Sequence, residues 1–231
     1  MPRQVPLGDA PLIPKRPTQL VWDLPVRLVH WLLAALIGFS WWSIENHHTD
    51  WHLWSGFAIL TLLLFRLLWG VVGSSTARFT NFVRGPRAVS DYLRGRWKGI
   101  GHSPLGAFSV VALLLAIMVQ VSLGLISQDP DGIYAGALAS LVSSDASDEA
   151  RDLHELWFNV ILGLVVLHIA AILFYRLRGR GLTKPMITGR AVLDPDTEPM
   201  KPGKWWGAVL CLVIAFALTR WIVAGAPPFG T

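Results

Sequence analysis

Polar and apolar positions divide this chain into five long apolar stretches joined by charged connections. A helix crossing a bilayer needs about 20 mainly apolar residues. The segments that meet this length are 25–44, 52–72, 104–127, 154–175 and 205–223. Each is therefore predicted to be a membrane-spanning helix. No internal repeat is evident. The segment 128–151 is rich in Ser, Ala and Gly and has room for a short surface helix. The segment 179–204 is rich in Gly and Pro and reads as a linker to the last span.

The connections alternate in charge. Between the second and third spans stand Arg78, Arg84, Arg87, Arg94, Arg96 and Lys98, against Asp91 alone. After the fourth span come Arg176, Arg178, Arg180, Lys184, Arg190, Lys201 and Lys204, and the N-terminal segment adds Arg3, Lys15 and Arg16. The other two connections are acidic, with Glu45 and Asp50 in one and Asp129, Asp131, Asp145, Asp148, Glu149 and Asp152 in the other, where Arg151 is the only base. Basic segments stay on the cytoplasmic side of a membrane. The expected topology is thus a cytoplasmic N-terminus, acidic loops outside and a periplasmic C-terminus, in a bacterial inner membrane. The tryptophans fit interfacial belts, with Trp41, Trp42, Trp51 and Trp54 outside and Trp69, Trp205 and Trp206 inside. Expected units are a leader over 1–24, a four-helix domain over 25–178, a cytoplasmic linker over 179–204, and a fifth helix with a short tail over 205–231.

Composition agrees. Hydrophobic residues make up 53% of the 231 residues and charged residues 15%, against about 25% charged in a soluble domain. Mean hydropathy is +0.48. A soluble enzyme, a disordered chain and a disulfide scaffold are excluded. The net charge of +5 reflects membrane topology, so no nucleic-acid partner is expected. The one cysteine, Cys211, lies in an apolar run, which rules out a disulfide framework or a CxxCH haem attachment within the chain. The first residues lack the apolar core and cleavage site of a signal peptide and read as a retained leader.

Chemistry is concentrated in the seven histidines, because ionisable side chains inside a bilayer are costly and mark functional sites. His154 and His168 are fourteen residues apart. At 100° per residue that is about 40° short of four turns, so both leave nearly one helix face, roughly 21 Å apart along the axis. One metal cannot take both, but two stacked sites can. His52 opens the second span at the depth of His154, and His30 lies at the depth of His168. Two His–His pairs result, His52 with His154 and His30 with His168. Facing imidazoles within a bundle suit axial ligation of haem, whereas zinc asks for three or four ligands at one place. Gly56, one turn from His52 on the same face, leaves room for a flat macrocycle. Arg66, fourteen residues after His52, faces inward at the depth of the second pair, and Arg27 lies one turn before His30. Either suits a haem propionate, although Arg66 can also snorkel to the surface. His47 and His48 read as solvated. His102 either caps the third span or approaches the cytoplasmic site, as a ligand candidate behind His30. Glu155 reads as a solvated helix end.

WDLPVRLVHW (22–31), GHSPLG (101–106), LHELWFNVILGLVVLHIAAI (153–172) and MITGR (186–190) together resemble the prokaryotic cytochrome b561 family. The likeness is closest to the cytochrome b/b6-domain branch related to the cytochrome b subunits of nickel hydrogenases. It covers roughly residues 22–190, beyond which the fifth helix is a departure that leaves partner and homo-oligomer contacts open. The resemblance implies an all-α membrane protein, a four-helix transmembrane bundle holding two b-type haems with bis-histidine ligation by His30, His52, His154 and His168. It also implies electron transfer between membrane quinone and a periplasmic partner, such as a c-type cytochrome or another redox protein. One alternative is a superoxide:quinone oxidoreductase; attracting that anion needs positive potential at the entrance, yet the outer loops carry eight acids. Another is a haem-anchoring subunit of a larger oxidoreductase such as a hydrogenase, docking through the fifth helix and the basic loop.

Overall fold

The computed structural model describes residues 18–97, 99–193 and 197–227. Arg3, Lys15, Arg16, Lys98 and the tail beyond 227 lie outside the described residues. Five helices carry the architecture: α1 (Leu24–Glu45), α2 (Thr49–Val72), α5 (Pro104–Ile126), α6 (Ser144–Leu177) and α8 (Trp205–Val223). All five are long and apolar enough to cross a membrane. Such segments are helical because hydrocarbon offers the backbone no hydrogen-bond partner outside the segment itself. Proline in the first turn and a side-chain cap start α1 and α5, through Asp23 and Ser103. Ser103 is thus the cap of the third span, and His102 is not.

Antiparallel neighbours α1 and α2 pack together, as do α5 and α6. Helix α2 also meets α5 and, on another side, α8. The fifth span is therefore part of the body of the protein. Thr61 Oγ1 donates to Thr219 Oγ1 (3.0 Å) across the α2–α8 contact, and Cys211 and Ala215 are buried there. The outward faces remain apolar, with Leu167, Val166, Phe216 and Val213 all more than half exposed, as a lipid-facing surface requires.

Two expectations need correction. Helix α6 begins ten residues before His154, because Ser143 Oγ accepts from Ala146 N and Asp145 occupies the favourable first turn. Ser147 Oγ donates to the Ile126 carbonyl (2.8 Å), which fastens this acidic extension to the end of α5. Trp69 is not interfacial: it is 2% exposed. Its indole Nε1 donates to Asp23 Oδ2 (2.9 Å), while Asp23 Oδ1 caps α1 through Val26 N (2.8 Å). Close packing by Gly73 and Gly203 makes this burial possible, since a Cβ on either would fall 2.7 Å or less from the indole ring or its carbonyl.

The linker is more ordered in outline than its composition suggests. It forms a short helix α7 (Thr183–Thr188) and a strand β2 (Arg190–Val192), which pairs antiparallel with β1 (Thr18–Leu20). Val21 N and Trp22 N both donate to the Gly189 carbonyl; Gly189 has φ +79, a conformation open to glycine. The basic connection also contains the short helices α3 (Phe79–Phe82) and α4 (Pro86–Leu93). Trp69→Phe keeps most of the apolar bulk but leaves one oxygen of the buried Asp23 without its donor. A loss of about 1–3 kcal/mol is expected, read as a lower unfolding temperature of the detergent-purified protein; an unchanged temperature would remove the Asp23–Trp69 bond from the account of the fold.

Candidate functional site

The histidines of the spans meet in two pairs. His52 and His154 face each other near the end of the bundle that carries the acidic connections, with ring centres 5.9 Å apart and planes at 84°. His30 and His168 meet nearer the basic end, with centres 6.4 Å apart and planes at 50°. Metal–imidazole bonds of about 2 Å, with about 1.1 Å more to each ring centre, place two axial rings roughly 6 Å apart across one ion. Both separations suit that arrangement.

Hydrogen bonds define which nitrogen is free. His52 Nδ1 donates to the Ser40 carbonyl (3.0 Å), with Ser40 Oγ equally close. His154 Nδ1 donates to the Gln120 carbonyl (2.9 Å), and Gln120 Nε2 returns a bond to the His154 carbonyl (3.0 Å). A carbonyl can only accept, so each of these Nδ1 atoms carries the proton and each Nε2 keeps its lone pair. His168 Nδ1 lies 3.2 Å from Ser109 Oγ. His30 Nδ1 is buried with no partner. Neutral imidazoles held by Nδ1 and open at Nε2 are the form in which histidine binds a metal.

Each site supplies two nitrogens. Among the described residues no group of three or more His, Cys, Asp or Glu side chains could hold an ion. A metal here needs its remaining donors from elsewhere, which a porphyrin provides. Space for a flat group is available beside the acidic-end pair, where a Cβ on Gly56 would meet nothing within 4 Å. Gly124 is a feature the sequence reading missed. A Cβ there would come within 2.9 Å of His154 Cε1, so the ring seats against bare α5 backbone. Ser40, Ser109 and Gln120 were missed as well, since they act through backbone or hydroxyl groups on neighbouring helices.

The arginines differ in placement. Arg66 is 5% exposed. Its Nη1 donates to the Ala77 carbonyl (3.3 Å), and its guanidinium lies over Phe79 (4.9 Å). Among the described residues no carboxylate is within ion-pair distance of it. It does not snorkel. Arg27 reaches sideways, with Nη1 donating to the Ile187 carbonyl while Nε is buried without a partner. His102 pairs with no other histidine; its ring lies 4.5 Å from Trp22 and from Phe82. Burial, helped by Arg66, His30 and His168, pushes its pKa down to about 3. His47, His48 and Glu155 are exposed.

A bundle of apolar helices that brings four histidines together in two facing pairs, one of them with both Nδ1 protons fixed by backbone carbonyls, defines a membrane protein able to hold a metal cofactor between helices. Residues 21–189 match the family described as prokaryotic cytochrome b561, and the chain belongs to that family. It is a multi-pass membrane protein that binds b-type haem and takes part in electron transfer. No curated protein and no solved structure matches it.

Two outcomes follow. Gly124→Ala should displace the His154 ring and lower haem occupancy at the acidic-end pair, read from haem per chain after purification; full occupancy would show that the contact yields. His102, held below its ordinary 6.5, leaves the folded protein with fewer protons than the unfolded chain as pH drops below that value. Its contribution to stability is therefore present above about pH 6.5 and drains away towards pH 3. Unfolding temperatures of His102→Gln should show a flatter acid slope than the parent over that window, and parallel slopes would refute the assignment.

Proposed function

We propose that this protein carries electrons across a prokaryotic inner membrane through two b-type haems, linking the quinone pool to a periplasmic redox protein such as a c-type cytochrome. The two histidine pairs carry this reading, since their ring centres lie 5.9 and 6.4 Å apart, a separation that suits two imidazoles on one metal. His52 and His154 hold the first group, and His30 and His168 hold the second. Each haem, when bound, supplies a one-electron ferric–ferrous couple. The protein's own part would be to keep His52 and His154 in the Nδ1-protonated form, to present two imidazoles to each group, and to keep water away with Val29, Leu33, Leu63 and Ile161, all buried. Two imidazoles held on each group would suit it to electron transfer rather than to binding oxygen.

The surfaces suit the two partners. At the acidic end the α6 extension presents Asp145, Asp148, Glu149 and Asp152, which favour a basic soluble protein and weigh against attraction of superoxide. Towards the basic end an apolar groove of about 520 Å³ is lined by Leu67, Phe79, Val83, Leu114 and Met118, a place for an isoprenoid chain. Beyond α3 a polar cleft is lined by Arg78, Asn81 and His102, side chains able to bond a quinone carbonyl. Arg66, unpaired and buried near the second histidine pair, suits a haem propionate.

Haem content tests the reading. The purified wild type should contain two b-type haems per chain with a reduced-minus-oxidised spectrum of that class, and His168→Ala should fall to about one. Reduction by a quinol analogue should follow in the wild type. A preparation without haem would defeat the proposal, and a single haem would remove the transmembrane path.

A further inference from the structure

The two pairs differ in what their Nδ1 atoms hold. At the acidic end both donate to backbone carbonyls, at 3.0 Å from His52 and 2.9 Å from His154. At the basic end, among the described residues, His168 Nδ1 has only the Ser109 hydroxyl, at 3.2 Å, and His30 Nδ1 has no partner. A bond from Nδ1–H to an acceptor makes the imidazole a stronger donor at Nε2. A stronger donor favours the oxidised ion, and outer hydrogen bonding of this kind is one of the levers that set a haem potential. A carbonyl is the better acceptor, so the acidic-end site is held towards the oxidised form by two strong bonds, and the other by one weak one.

Fixed charge acts in the same sense. The buried Arg66 guanidinium is near the basic-end pair, where a positive charge favours the more reduced state. Asp148, Glu149 and Asp152 lie within two turns of His154 on α6; Arg151 pairs with Asp148 and Asp152, both at 3.2 Å, and the net negative charge that remains favours the more oxidised state.

We propose that the His30–His168 site is the more easily reduced of the two, and that Ser109 is a positioning residue that tunes it through His168. The proposal rests on the two-haem reading above and adds a direction to it. With both groups bound, one electron would pass from the group held by His52 and His154, oxidising it, to the group held by His30 and His168, reducing it; no bond would break and no proton would move. The downhill direction then runs from the acidic end, where a soluble donor docks, to the basic end, beside the apolar groove.

Spectroelectrochemical titration of the purified full chain tests this. The wild type should give two one-electron transitions. His52→Ala, or His154→Ala if the first variant does not fold, should lose the lower one and retain the higher. Ser109→Ala should move only the higher transition further upward, and Ser109→Thr, which keeps the hydroxyl, should return it to the wild-type position. If Ser109→Ala loses haem, Ser109→Cys, a weaker acceptor, takes its place with the same expected direction. Retention of the lower transition in the His52 or His154 variant overturns the order. A Ser109 substitution that moves neither transition, or moves the lower one, overturns the role of Ser109. Either failure occurs in a protein that still holds two haems, whereas a wild type lacking them defeats the underlying reading instead.

Discussion

Everything at the centre of this protein depends on hydrogen bonds that leave one helix and end on another. His52 on α2 reaches the Ser40 carbonyl of α1, and His154 on α6 reaches the Gln120 carbonyl of α5. Helix carbonyls already accept one bond within their own ladder, and the second lone pair is what remains for a neighbour. In a bilayer an unpaired polar group costs several kcal/mol. A histidine there gains by reaching a carbonyl, as His52 and His154 do, and each such bond fixes both a tautomer and the distance between two helices. The same bonds that assemble each helix pair thus prepare a nitrogen for a metal.

Much of this plan is visible in the amino-acid order. Apolar length places all five spans, and three of the five both begin and end within one residue of their expected limits. Helical phase puts His154 and His168 on one face, and depth alone brings each to a partner. What the order hides is the second partner of each imidazole. A backbone carbonyl has no side-chain signature, so nothing in Ser40 or Gln120 announces its role. Gly124 is hidden for a related reason, since its importance lies in an atom it lacks.

The misread tryptophan shows the limit of belt arguments. Trp69 stands at the end of a span, next to basic residues, where an indole usually meets headgroups. Here Asp23 offers a buried acceptor, and Gly73 at the end of the same helix and Gly203 in the linker give the ring room. Interface and core are told apart only by what surrounds the residue in space. Helix α6 was likewise underestimated because hydropathy measures the apolar part of a helix, whereas Ser143 and Asp145 start it in polar sequence.

The ribbon of β1 and β2 joins residues 18–20 to 190–192, and beside it Arg27 and Trp31 of α1 donate to the carbonyls of Ile187 and Met186. During synthesis α1 is made early, yet the partners that close over its basic end appear only when four-fifths of the chain has been translated. Until then the His30 end of the bundle stays unfastened, while the His52–His154 end needs nothing beyond α6. The contacts that close the basic end thus come from the last fifth of the chain, whereas the hydrogen bonds of the His52–His154 end are complete once α6 has been made.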